Sequence, residues 1–308
     1  MASRRSEHTV RTRRLQLAIA HSPLTTDNAY ICEKFPEMPR PLFALLILPI
    51  LLAGCAQNNV TEDNSLKKYF DSANVSGSFG LFDNGQGHFT IYNLPRFRDS
   101  SYLPASTFEI PLSLIGIQTG VTKDDSAVIR WDTVGINVKP ECAPGLTLGQ
   151  DFQNNCEAAF RELARRIGKD TLRRWIDSLG YGNKNISGPI DSFWQNNNLK
   201  ITSDEQLGLV KKLYFDQLPF FQRTQKVMRN MMLMESNANY WLSYKAGWGV
   251  KGDGRVIDWT IGWIEENTHL YFFVLNLESA DPASAIRGDR MQILKGILRQ
   301  MGFFEGKK

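Results

Sequence analysis

Alternating apolar and polar positions mark the start of the folded region. Between Val75 and Tyr92 two strand-like runs, SGSFGLFD and GHFTIYN, flank Asn84-Gly85-Gln86-Gly87, a turn signal that predicts a β-hairpin. The period then lengthens. In residues 156–167, CEAAFRELARRI, Ala159, Phe160, Leu163 and Ile167 share one helical face, and the run stops at Gly168. A second helix is predicted over 170–179, ending at Gly180, so that two helices joined by a glycine turn form a helical subdomain. Toward the C-terminus the residues become aromatic and β-branched. Segments 240–249, 256–264 and 269–277, separated by Gly252-Asp253-Gly254 and Glu265-Glu266-Asn267, predict three strands of an antiparallel sheet. A helix over 287–301 closes the chain, with Met291, Ile293, Leu294, Ile297 and Leu298 as its apolar face.

The N-terminal pattern is of another kind. Residues 41–53, PLFALLILPILLA, form an almost continuous apolar run behind Arg40, too short for a comfortable membrane span, and lead into Gly54-Cys55. A basic residue, an apolar stretch and small residues before a cysteine resemble a bacterial lipoprotein signal, which implies lipidation of Cys55 and a membrane anchor. An ordinary signal peptide or an unprocessed anchor is the plainer alternative. Met38 stands where such a signal begins; residues 1–37 lack periodicity and are set aside as a doubtful extension, 38–54 as the signal, 55–73 as a polar tether, and 74–308 as one domain. By the lipoprotein sorting pattern, Ala56 rather than aspartate after the cysteine implies an exported protein facing the periplasm from the outer membrane.

With 308 residues, 42% hydrophobic and 11% aromatic, the chain has enough apolar material for a full core. Its formal charge of +4 is concentrated early: seven basic and four acidic residues in the first 54 leave 29 against 28 in the rest, so no nucleic-acid partner is indicated. His88 and His269 lie far apart without ligand spacing, so no metal is expected, and no cofactor either. Cys142 and Cys156 form an even pair in an exported chain and read as a disulfide closing a loop of about 15 residues, worth around 3 kcal/mol on the chain-entropy account; two reduced buried cysteines are the alternative.

The segment 102–120 contains Ser106-Thr107-Phe108-Glu109. Its wording, YLPASTFEIPLSLIGIQTG, resembles the class D β-lactamases (oxacillinases), whose core reads Pro-Ala-Ser-Thr-Phe-Lys-Ile-Pro, with glutamate in place of the lysine. The resemblance continues through Tyr181-Gly182-Asn183 and Trp194, and through Lys245-Ala246-Gly247 for Lys-Thr/Ser-Gly. It implies an α+β, penicillin-recognising serine β-lactamase/transpeptidase-like fold: an antiparallel sheet flanked by helices plus a helical subdomain. By position it implies Ser106 as nucleophile, Glu109 or Lys245 as base, and Tyr181, Asn183, Trp194, Gly247 and Arg287 around a ligand. Without a lysine at 109, Trp194 is read as core in preference to a ligand contact, while Arg287 is equally readable as a surface residue.

Three positions depart from the pattern. Asn155 replaces the proton-relaying serine of the Ser-x-Val motif, Glu157 replaces its valine, and Ala246 lacks the strand hydroxyl. An amide does not titrate and cannot act as general acid. Class D enzymes are understood to use a lysine carboxylated by CO2; Glu109 is already a carboxylate but two methylenes shorter, and is expected to hydrogen-bond Ser106 off-line. Two functions follow. One is an envelope protein that binds β-lactams or peptidoglycan stem peptides without efficient hydrolysis. The other is an active serine β-lactamase, or a slow acyl-enzyme-forming penicillin-binding protein.

Overall fold

This computed structural model describes residues 59–133, 138–280 and 286–308, with side chains in the last segment from Asp289 onward. Cys32, Cys55 and the apolar run at 41–53 lie outside the described residues, as does the side chain of Arg287.

The chain begins with β1 (Val60–Glu62) and α1 (Lys67–Ser72), then β2 (Ser76–Asp83), β3 (His88–Tyr92), α2 (Leu94–Asp99) and β4 (Ser101–Tyr102). A helical middle follows: α3 (Glu109–Gln118), α4 (Leu148–Asn154), α5 (Glu157–Ile167), α6 (Lys169–Leu179), the short β5 (Ile201–Thr202), α7 (Ser203–Tyr214) and α8 (Gln222–Met232). It ends with β6 (Leu233–Ser236), β7 (Tyr240–Val250), β8 (Val256–Glu266), β9 (His269–Ser279) and α9 (Ile286–Gln300).

The main sheet is seven-stranded in the order β1-β3-β2-β9-β8-β7-β6. The predicted hairpin is β2–β3, whose turn is held by Asp83 Oδ1 accepting from the amides of Gly85 and Gln86 at 2.8 and 3.0 Å. The three long C-terminal strands form a meander in unbroken antiparallel register, and β9 pairs with β2, closing the two ends of the domain onto one sheet.

The pleat sorts the core into two halves, because successive side chains on a strand point to opposite faces. From β8, Ile257, Trp259, Ile261 and Trp263 join the core formed with the helical middle. Val256 and Ile264, with Phe273, Leu275 and Leu277 of β9, join the other core beneath Ile293, Leu294, Ile297 and Leu298 of α9. Each of those four α9 side chains stabilises the fold by roughly 1.5–3 kcal/mol through burial. With both faces covered, β8 is buried nearly end to end.

Two expectations need correction. The sheet is mixed, since β1 runs parallel to β3, Val60 opposite Phe89. The supposed tether is part of the fold from Val60 onward: Leu66 and Phe70, four residues apart, are fully buried in the α9-side core. One apolar pair in an otherwise polar run leaves no periodicity to read, yet it is enough to dock a single helical turn.

Candidate active site

Ser106 lies on a 3-10 turn, Ala105–Phe108, that runs directly into α3. The turn is fixed from three sides. Trp259 Nε1 donates to the carbonyl of Leu103 at 2.9 Å, the amide of Ala105 donates to the Trp194 carbonyl at 3.2 Å, and Gln206 Nε2 donates to Thr107 Oγ1 at 2.8 Å. Ala105 is held at φ +49°, in the left-handed region that costs a non-glycine residue about 1–3 kcal/mol. Strain of this kind persists only when the surroundings over-determine it, and here it aims the Ser106 side chain at a cleft of about 590 Å³. Gly247 brings β7 against the same turn. A Cβ there would stand 2.7 Å from the Ser106 amide nitrogen, which explains why the Lys-x-Gly half of the strand motif is kept.

Directly beneath Ser106, Glu109 and Lys245 face each other: Oε2 lies 2.5 Å from Nζ, with both side chains at most 2% exposed. The ammonium also donates to the carbonyl of Phe152 at 2.5 Å and stands 4.0 Å from the centre of the Phe152 ring. Burial pushes the Glu109 carboxyl up, opposed by the Lys245 charge and, less strongly, by the Ser106 hydroxyl. Burial pulls the Lys245 ammonium down, opposed by Glu109. Each head thus offsets part of the cost of burying the other. Expected separately as alternative bases, the two residues are partners in one buried ion pair.

Asp151 on α4 is a third acid, which the sequence reading missed. It is 1% exposed, neither carboxylate oxygen has a hydrogen-bond partner among the described residues, and burial together with the Glu109 charge raises its pKa to about 7. An unfolded Asp151 ionises near 3.8 while the folded one keeps its proton up to about 7, so its contribution to stability falls as pH rises between those values. Asp151→Asn is therefore expected to stabilise the protein at pH 8 by a few kcal/mol, on the order of 1.4 kcal/mol per unit of the shift, with little effect at pH 4. Urea unfolding at the two pH values measures this; an equal effect at both would mean the carboxyl is not the titrating group.

Asn155, at the serine position of Ser-x-Val, caps α4 in the left-handed conformation (φ 55°, ψ 52°), which asparagine tolerates better than most residues. It lines both the Ser106 cleft and a hollow of about 160 Å³ bordered by Lys245, Ala246 and Arg290. The Glu157 charge adds, as the smallest contribution, to the upward push on the Glu109 carboxyl. Glu157 faces the cleft and accepts from Arg161 at 2.6 Å. The Cys142–Cys156 disulfide is present and forms part of the cleft wall.

The aromatic and loop positions have identifiable structural partners. Trp194 is fully buried, stacked on Phe108 at 5.5 Å, and is core. Tyr181 packs edge-on against Phe108 with its hydroxyl pushed up by burial, and it does not line the cleft. Asn183 organises a loop: its Nδ2 donates to the Asn198 carbonyl at 2.8 Å, and its Oδ1 accepts from Asn185 and Lys200. None of the three lines the Ser106 cleft itself. Cleft residues that the motifs did not indicate are Trp131, Lys139, Arg161 and Arg165, beside Trp248, which follows the Lys245-Ala246-Gly247 motif. For the two arginines the legible signal was the polar stripe Glu157, Arg161, Arg165 at four-residue spacing, opposite the apolar face of α5.

Comparison with known proteins agrees with this architecture. Residues 60–299 match the family described as penicillin binding protein transpeptidase domain. The chain is 32% identical over 245 residues to the β-lactamase OXA-48 of Klebsiella pneumoniae, covering 78% of this chain and 88% of that one, and 31% identical over 237 residues to β-lactamase OXA-10 of Pseudomonas aeruginosa, covering 76% and 88%. Among solved structures it is similar to FUS-1 (OXA-85), a class D β-lactamase from Fusobacterium nucleatum subsp. polymorphum (TM-score 0.74, 28% identity, 80% of this chain and all of that one). It is also similar to the C-terminal domain of the Bacillus licheniformis BlaR penicillin-receptor (TM-score 0.73, 27% identity, 80% and 98%). The chain belongs to the penicillin-binding transpeptidase domain family, among the homologues of the class D β-lactamases.

Proposed function

We propose that this chain is a class D β-lactamase-like lipoprotein of the cell envelope, anchored through Cys55 and facing the periplasm from the outer membrane, that has lost efficient β-lactam hydrolysis and binds β-lactams or peptidoglycan stem peptides at the Ser106 cleft. The observation that carries the proposal is the buried pairing of Glu109 with Lys245. Turnover needs a base twice, once to take the proton of the serine and once to activate the water that releases the acyl group. A carboxylate whose charge is spent on an adjacent ammonium is a poor base, and an ammonium so held has no proton vacancy. The proton relay is missing as well, since Asn155 cannot supply it and Ala246 has no hydroxyl. Each such loss is typically worth about 10²–10⁴-fold, and together they are not additive.

A second reading, slow acylation of Ser106 without turnover, is favoured by the strained turn that still aims the hydroxyl at the cleft. The likeness to the domain of a penicillin-receptor supports it. Intact-mass analysis of the purified chain after incubation with a fluorescent penicillin, beside Ser106→Ala, separates the possibilities. The expected result is saturable, displaceable binding with an adduct that is absent or, once formed, persistent. An adduct that decays on the timescale of catalysis would identify a working β-lactamase and overturn the loss of hydrolysis. No binding at saturating drug would overturn the ligand class.

A further inference from the structure

The cleft in front of Ser106 is lined by three cations, Lys139, Arg161 and Arg165, against one carboxylate, Glu157. Two independent pieces of structure assemble this wall. Helix α5 turns Glu157, Arg161 and Arg165 to the cleft because residues four apart share a face. Lys139 arrives on a separate loop, which the Cys142–Cys156 disulfide fastens to the N-terminus of α5 and which Asn154 Nδ2 braces by donating to the Glu141 carbonyl at 2.8 Å.

The cations differ in how far they are already satisfied. Arg165 is committed to Glu162 and Asp191, at 3.0 and 2.7 Å. Arg161 directs Nε and Nη2 to a single oxygen of Glu157, leaving Nη1 without a partner among the described residues. The Lys139 ammonium meets no carboxylate among the described residues. Donors therefore remain on two side chains that face one cavity, with Trp131 and Trp248 supplying apolar surface in the same cavity. Tryptophan faces suit a planar group, and paired cationic donors suit a carboxylate.

We infer that the Ser106 cleft selects ligands whose acyl side chain carries a carboxylate, received by Lys139 and Arg161. This rests on the proposed penicillin-binding function and adds to it the class of ligand.

The test compares benzylpenicillin with α-carboxybenzylpenicillin, which differ by one side-chain carboxylate and share the ring carboxylate. Binding to the purified full chain is measured by titration calorimetry, with intact mass to register any adduct. The carboxylated compound is expected to bind about tenfold more tightly, the scale of one charge-assisted contact in a partly open site. The preference should shrink to within about threefold in Lys139→Gln/Arg161→Gln, and likewise in 0.5 M salt, where screening shortens to about 4 Å. Binding of both penicillins with equal strength, or better binding of benzylpenicillin, would overturn the inference while leaving the proposed function intact. So would a preference that survives the double substitution. Binding of neither compound would overturn the penicillin-binding reading, and this inference with it.

Discussion

Replacing Lys245 with methionine is expected to cost about 3–5 kcal/mol of folding stability, the usual penalty for stripping one partner from a buried ion pair. Methionine roughly keeps the aliphatic stem and remains compatible with the Phe152 and Phe160 rings that surround the head. What is lost is, among the described residues, the one charge paired with Glu109, whose carboxylate then lies 1% exposed without that partner. The double variant Glu109→Gln/Lys245→Met should recover most of the loss, because removing both charges also removes the need to bury them. The pH dependence has a definite sign. With its lysine gone, Glu109 is raised further above its ordinary 4.5, so it destabilises the folded state above that value, and the penalty of Lys245→Met should fade as the pH drops toward 4.5. Urea unfolding of the two single variants and the double variant at pH 5 and pH 8 supplies the cycle. A single-variant cost below about 1 kcal/mol would show that the pair contributes too little for the lysine to be a buried counter-ion.

How much of this was legible in the sequence depended on the range of the physics involved. The hairpin at Asn84 to Gly87, the three long strands and the boundaries of α5 and α6 are local effects, set by turn residues and by periods of 2 and 3.6, and they stand in the structure within a few residues of expectation. The position of Ser106 was legible through a contiguous motif. The partnership of Glu109 and Lys245 was not. Each residue was assigned through its own motif, while their meeting depends on α3 packing beside β7 and on Gly247 letting the strand approach the Ser106 turn. Asp151 was invisible for a different reason. An acid in the first turn of a short helix ordinarily reads as a dipole partner in solvent, and only tertiary burial turns it into a carboxyl that keeps its proton to about 7. Trp194, read from the missing lysine as core, does pack in the core, and it shares with Tyr181 the task of buttressing Phe108, one residue before Glu109.

Restoring the family's lysine with Glu109→Lys is expected not to restore a stable protein by itself, and to make stability depend on bicarbonate. The introduced amine would face Lys245 across a contact now 2.5 Å long, between side chains at most 2% exposed. Two like charges at 4 Å repel by about 4 kcal/mol at the effective dielectric of 20 that describes most protein sites. In practice one amine will lose its proton instead of bearing that cost. A neutral amine is the form that attacks CO2, forming an N–C bond and releasing a proton, and the product is an anion. Carboxylation would thereby recreate the charge that Glu109 now supplies to Lys245, and glutamate can be understood as a permanent, CO2-independent substitute for it. Asp151 offers the introduced cation a competing partner, so the experiment is best carried out in Asp151→Asn as well. Because binding to the folded state alone raises stability by mass action, the melting temperature of Glu109→Lys should climb with bicarbonate while that of the parent stays flat. A carbamate resonance should appear when 13C-bicarbonate is supplied. A melting temperature indifferent to bicarbonate in both backgrounds would refute the equivalence of Glu109 with a carboxylated lysine. Hydrolysis should stay low even in the bicarbonate-loaded variant, because Asn155 and Ala246 still provide no group to carry a proton to the leaving nitrogen.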